Sequence, residues 1–221
     1  DGTVVTGLSI KFYREAAGSS LVMLDENYNI VGDLAHRWEA SDEGRVLTFH
    51  LRPGAKFHDG TPQDAEAVKW NLEVVNRRLE PAWVEEAKRE NPKFKFNSSY
   101  ELYLYQIKKV EVVDRHTVRI HQQDLGKGMT LPALAGYFTR LVLVSPTAYD
   151  KDIEKFRRLP VYGGPFKVTE YKHNQFVVME RFKDYYIKDR PYLDRIEVHY
   201  MPDANQRLNA LRAGQIDMIF S

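Results

Sequence analysis

Cysteine is absent from the 221 residues, and with it go disulfides, thiolate nucleophiles, zinc–thiolate sites and iron–sulfur clusters. An excess of one charge is also missing. Lys and Arg number 32 against 31 Asp and Glu, a formal net charge of +1, so nothing in the overall charge draws the chain to nucleic acid or to an anionic membrane. Long apolar runs are lacking too: residues 141–144 are among the longest, far short of the roughly 18 to 20 residues of a membrane span. The start at Asp1 has no basic-then-apolar targeting pattern, so the chain is either cytosolic or has had an export signal trimmed away. Lack of cysteine does not fix the compartment, because chains large enough to build a core need no covalent staples. What is present suffices for such a core, with 43% hydrophobic and 12% aromatic residues. At roughly 150 residues per domain the length corresponds to one or two domains.

Residues 21–33 read as a strand running into a turn at 25–29, followed by a short amphipathic piece at 34–38. Residues 45–51 alternate, with Leu47, Phe49 and Leu51 on one face and Val46, Thr48 and His50 on the other, the period of a half-buried strand. Two turn dipeptides, Pro53-Gly54 and Asp59-Gly60, leave 56–58 as a short extended segment. The run Thr61-Pro62-Gln63-Asp64 predicts a helix start: a capping hydroxyl, Pro at the first helical position and an acid three residues on. Ala65, Val68, Leu72, Val75 and Leu79 then form one apolar stripe, which Pro81 ends. Residues 85–100 read as a charged, solvated helix end and loop, and 126–128 as a flexible connection.

Segments 108–113 and 117–121 flank Asp114-Arg115-His116 and predict a hairpin with Val110, Val112, Val118 and Ile120 turned to the core. Beyond Tyr162 the texture changes to short strands at 166–171, 176–182 and 196–201, which predict a meander. Asp203 is placed to cap a helix with apolar positions Ala204, Leu208 and Leu211, Gly214 to close it, and 216–220 to form a last strand. A buried-looking strand at the very end suggests a piece of something longer.

Several ordered blocks carry a resemblance. They are Leu34-Ala35-His36-Arg37-Trp38-Glu39; the run from Thr48 through Arg52-Pro53-Gly54-Ala55-Lys56-Phe57-His58-Asp59-Gly60-Thr61-Pro62 to Val68; Val113-Asp114-Arg115-His116-Thr117-Val118; Gly163-Gly164-Pro165-Phe166; and Leu211-Arg212-Ala213-Gly214-Gln215-Ile216-Asp217. Together, over about residues 21–221, they resemble the extracellular solute-binding proteins of the peptide- and nickel-type ABC importers, family 5. Two positions depart from the pattern: Ala67 stands where an acid is usual, and Gly163 where Thr or Asn is more common.

The resemblance implies a mixed α/β fold, a periplasmic-binding-protein-like lobe with a β-sheet core domain (residues 1–20 and 156–221) and an inserted smaller α/β domain (21–155). It further implies a second lobe that this chain lacks, closure of the two lobes about a hinge, and no cofactor and no catalysis. The implied partners are a peptide or other small solute, the ABC permease subunits and the missing lobe, with no nucleic acid and with the membrane reached only through an anchor outside the chain. The implied location is periplasmic or extracellular, at the cell envelope.

Catalytic motifs are not legible. Ser145-Pro146 and Ser98-Ser99 read as turns without a Gly-x-Ser-x-Gly elbow, and neither Gly126-Lys127-Gly128 nor Gly163-Gly164 carries a phosphate-binding pattern. His116 and His121 are an odd number of residues apart, which on a strand sends them to opposite faces, and His58-Asp59 reads as a turn stabilised by the Asp side chain. The 13 Tyr and 11 Phe exceed what one small core requires, and aromatic faces with polar tips suit a pocket. The Tyr185-Tyr186 pair and two loops carry several of them. In the family the corresponding loops rim the cleft, so Phe12, Tyr13, Arg14 and Glu15, together with Tyr162, Gly163 and Gly164, are the expected ligand-binding residues, Arg14 or Glu15 pairing with a ligand carboxylate or amine. Two competing readings stand: a metal-dependent hydrolase using His58, Asp59 or the other histidines, and a sensory domain of the same fold.

Overall fold

A computed structural model describes residues 16–77, 107–122, 142–152, 155–156, 159–172 and 175–219. The expectations for residues 12–15, 79–81, 85–100, 126–128 and 220 lie outside them. The first hairpin pairs β1 (Val22–Leu24) with β2 (Ile30–Gly32). Its turn is organised by Asp25, whose carboxylate accepts from the backbone N–H groups of Asn27 and Asn29 at 2.9 and 2.8 Å, the self-bonding turn that Asp favours.

A four-stranded antiparallel sheet follows, in the order β3 (Ala35–Ser41), β4 (Val46–Leu51), β6 (Thr117–Gln122), β5 (Ile107–Asp114). The amphipathic piece at 34–38 is thus the start of an edge strand. Leu47, Phe49 and Leu51 are buried as the alternation requires, joined by Val110, Val118 and Ile120 from the second hairpin. Thr48 is buried as well, contrary to the two-faced reading, because β4 is central and Thr48 pairs with Glu39 on one side and Arg119 on the other. Residues paired across strands share a face, so those two long side chains cover it.

Helix α1 (Ala65–Arg77) packs on β5 and β6 and buries Ala65, Val68 and Leu72. Each large apolar side chain removed from water here adds roughly 1.5–3 kcal/mol. The helix begins at Ala65, not at Thr61. Asp64 is the cap, its Oδ1 accepting from the Ala67 N–H at 3.2 Å, whereas the Thr61 hydroxyl is spent on Asp59 Oδ1 at 2.6 Å. Ala67, in place of the usual acid, is buried. Ser145, expected in a turn, caps a short helix α2 (Pro146–Lys151) by accepting from the Ala148 N–H.

A separate three-stranded meander, β7 (Phe166–Lys172), β8 (Phe176–Arg181) and β9 (Arg195–His199), bears out the later strands. Its buried residues, Phe166, Val168, Val177 and Met179, form a second apolar cluster with Ala17 and Tyr162. Helix α3 (Ala204–Arg212) is capped by Asp203, which accepts from the Gln206 N–H at 2.7 Å, and gives way to Gly214 at φ 66°. Two expectations fail at this end. Leu208 and Leu211 are exposed and Ala210 is the buried residue of the helix; residues 216–219 form no strand, since no described segment pairs with them.

Candidate functional site

The Tyr162-Gly163-Gly164 turn meets two other chain segments where the two apolar clusters adjoin. Its three carbonyls are all used. The His58 N–H donates to Tyr162 O at 2.8 Å, Gln63 Nε2 to Gly163 O at 2.9 Å, and His58 Nε2 lies 3.0 Å from Gly164 O. A carbonyl only accepts, so the His58 proton sits on Nε2. From the third segment, Ala17 O accepts from the Gly164 N–H at 2.9 Å. Phe12, Tyr13, Arg14 and Glu15 lie outside the described residues; the bond joins Ala17 to the glycine turn.

Close approach accounts for both glycines. A Cβ on Gly163 would fall 2.1 Å from Gln63 Nε2, and one on Gly164 would fall 2.0 Å from Gly18 O, distances at which neighbours must move. Tyr162 is buried at 6% exposure. The expected trio therefore contacts Gln63, His58 and the 17–18 backbone.

Gln63, read from sequence only as part of a helix start, is 2% exposed. Its Nε2 donates to Lys56 O at 2.7 Å as well as to Gly163 O, and its Oε1 accepts from the Ser19 hydroxyl at 2.5 Å. One carboxamide thus joins the 17–20 segment, the 55–63 loop and the glycine turn. No sequence pattern marks it; only a fold that turns the chain inward two residues before the helix gives it this role.

His58 is held neutral. Burial pushes its imidazole down to about 4, helped by Lys167 and opposed by the Gly164 bond and Asp59. Lys167 Nζ donates to His58 O at 2.9 Å, and the ring meets Phe182 edge-on at 4.8 Å. Asp59 turns elsewhere, accepting from the hydroxyls of Ser145 and Thr61, each at 2.6 Å, and from the Thr61 N–H. Burial raises its carboxyl, but these donors together hold it below the usual range. Both side chains are committed to structural bonds, and no cluster of three metal-ligating side chains occurs among the described residues.

A second polar joint lies at Asp33, 4% exposed. Its carboxylate accepts from the Ser20 N–H at 2.7 Å, the Ser20 hydroxyl at 3.2 Å and the Tyr186 hydroxyl, while Arg52 Nε donates to its backbone carbonyl at 2.8 Å. Burial raises the Asp33 carboxyl despite these donors. The same burial, with Asp33 beside them, raises Tyr185 and Tyr186 above the ordinary phenol range. Tyr186 thus ties the loop after β8 to the start of β3, a use of the tyrosine pair that the sequence did not suggest. Two open hollows are present, of about 470 Å³ beside Arg181, Phe182, Arg190 and Tyr192 and about 310 Å³ beside Asp64, Trp70 and Pro146.

Residues 29–221 match the family model of bacterial extracellular solute-binding proteins, family 5. The glutathione-binding protein GsiB of Shigella flexneri is 31% identical over 99% of this chain, which spans 38% of that protein's length. Among solved structures, AgaA from A. tumefaciens R10, in complex with agropinic acid, superposes with a TM-score of 0.77 at 31% identity, over 97% of this chain and 40% of its own. DppA from Helicobacter pylori, in complex with the peptide STSA, gives 0.71 at 27%, over 98% and 42%. With the mixed α/β architecture of a periplasmic-binding-protein lobe, and with the ordered blocks from Leu34 to Asp217, the chain belongs to family 5 of the bacterial extracellular solute-binding proteins.

Proposed function

We propose that this chain is one wall of the solute-binding component of an ABC importer, which captures an oligopeptide or a similarly small solute outside the cell membrane and delivers it to the permease. The observation that carries the reading is the family match over residues 29–221, joined to a likeness to AgaA that covers 97% of the chain. The relatives' ligands, glutathione, agropinic acid and a peptide, all carry carboxylates and several polar groups, which supports a solute of that kind. The protein binds without catalysing, in the periplasm or at the outer face of the envelope.

The domain assignment belongs to the same proposal: residues 1–20 and 156–221 as the core domain and 21–155 as the insertion. Two separate apolar clusters support it, one drawn from Leu21 to Leu143 and the other from Ala17 and Tyr162 to Met179. In this reading the ligand faces Phe12, Tyr13, Arg14 and Glu15, and the expected Tyr162–Gly164 turn, buried and with its carbonyls bonded to His58 and Gln63, underlies the site. Hinge closure buries the solute between two walls, so affinity needs both. Calorimetry with reduced glutathione and the peptide STSA tests this. The whole reading frame that contains this chain is expected to bind one of them at micromolar or lower Kd, and the 221-residue chain to bind weakly or not at all. Micromolar binding by the 221-residue chain alone overturns the two-wall mechanism.

A further inference from the structure

The loop after β8 folds back on its own strand. Arg181, at the end of β8, donates from Nη2 to Tyr192 O at 2.9 Å and from Nε to Leu193 O at 3.3 Å, and it pairs with the Asp194 carboxylate at 3.0 Å. Its backbone N–H donates to Asp194 O at 2.8 Å, and Pro191 is buried. On the strand side, the Phe182 N–H donates to Pro165 O at 2.8 Å and its ring meets His58 edge-on. Both walls of the hollow of about 470 Å³ between them are thus set by the fold itself.

Arg190 stands apart from this framework. Its guanidinium carbon sits 3.9 Å from the centre of the Tyr192 ring, a residue that is 72% exposed. A stacked guanidinium keeps its N–H edge for a carboxylate or a phosphate, and no side-chain hydrogen bond or ion pair engages that edge, or the Lys183 ammonium, among the described residues. Asp189, just before it, holds φ at 61°, a region that residues with side chains seldom adopt. Of the charges that line the hollow, Arg181 is neutralised by Asp194, which leaves Lys183 and Arg190 against Asp189. The excess is positive.

We propose that this hollow is a binding site for a small oxyanion, a carboxylate or phosphate group on a ligand no larger than a dipeptide: Arg190 supplies paired N–H donors, Lys183 a second positive charge, and the Tyr192 ring the face that orients the guanidinium. The fork of an arginine matches two oxygens of either group, and the volume falls within the roughly 300–1,000 Å³ of small-molecule sites. Walls already fixed by Arg181 and Phe182 reduce the ordering that binding must impose. The site does not depend on the solute-capture reading, since none of its residues is among those expected to face the solute.

The test is calorimetric titration of the whole reading frame with inorganic phosphate and, separately, with succinate, at low ionic strength so that screening does not mask the charges. The unaltered protein is compared with Arg190→Gln, Lys183→Gln and Tyr192→Phe, and with Arg195→Gln as a reference, since that guanidinium pairs with Glu197. At least one anion is expected to bind saturably, about tenfold or more weaker in Arg190→Gln and about threefold weaker in Lys183→Gln, as the loss of charge-assisted bonds requires. Tyr192→Phe and Arg195→Gln are expected to change affinity by less than about twofold, because a ring without its hydroxyl still carries the cation. Binding of phosphate alone assigns a phosphorylated ligand and binding of succinate alone a carboxylate; either supports the site. Binding of neither anion overturns it, as does affinity that is unchanged in Arg190→Gln or that falls equally in Arg190→Gln and Arg195→Gln. Arg190→Lys keeps the charge and loses the fork, and guards against a glutamine variant that does not fold. It is expected to bind about threefold or more weakly than the unaltered protein, and equal affinity overturns the paired-donor role.

Discussion

His58 carries the clearest titration consequence at the scale of single residues. In the unfolded chain an imidazole takes its proton near 6.5, but in the fold burial holds it down to about 4. Between those values the unfolded state binds the extra proton, so the stability due to neutral His58 is complete above pH 6.5 and is lost as pH falls toward 4. At about 1.4 kcal/mol per pH unit the loss approaches about 3 kcal/mol. Urea melts of the unaltered chain and of His58→Gln between pH 7.5 and 4.5 check this. The difference in slope between the two isolates the imidazole, and parallel slopes refute the assignment. Neighbouring Asp59 titrates below this window, since its donors hold it under the usual carboxylate range.

Among the secondary-structure elements, α1 depends on a cap that the sequence pattern placed three residues too early. Asp64→Ala removes the acceptor for the Ala67 N–H and the negative charge at the helix start, and is expected to cost about 1 kcal/mol in a denaturant melt. Thr61→Val is expected to leave the helix intact, because that hydroxyl serves Asp59; circular dichroism of both variants separates the two caps. The difference shows what was legible. The inward residues of β4 (Leu47, Phe49 and Leu51), the hairpin residues Val110, Val118 and Ile120 and the Asp203 cap follow from local chemistry, and the structure places them as expected, whereas Thr48 is buried against expectation. Thr61 satisfied every local rule for a cap and was claimed instead by Asp59 and Ser145, the latter 84 residues away. The apolar positions of α3 failed for a similar reason: Leu208 and Leu211 obey helical spacing, but no described segment covers them. Gln63, Ser19 and Asp33 were illegible because their partners lie on other segments.

In the molecule as a whole, the four-stranded sheet region and the meander meet through polar joints, and Asp33–Tyr186 is one of them. Tyr186→Phe leaves a buried carboxylate with one donor fewer, which costs about 1–3 kcal/mol; a melt of that variant at pH 7 measures it. Asp33→Asn is expected to cost less at the same pH. The Asp33 carboxyl is raised in the fold, so its contribution is greatest below the unfolded value of 3.8 and shrinks as pH rises through the raised one. A larger loss for Asp33→Asn than for Tyr186→Phe at pH 7 contradicts that order.

These joints also decide when the molecule can become one body during synthesis. His58 and Gly164 are 106 residues apart, and Asp33 and Tyr186 are 153 apart, so each contact closes a long loop whose entropy must be met before any bond rewards it. The sheet of β3 to β6 is complete once residue 122 has left the ribosome, well before its partners Gly164 and Tyr186 exist. Until then Asp33 lacks Tyr186 and His58 lacks Gly164, so these two polar contacts can form only late in synthesis.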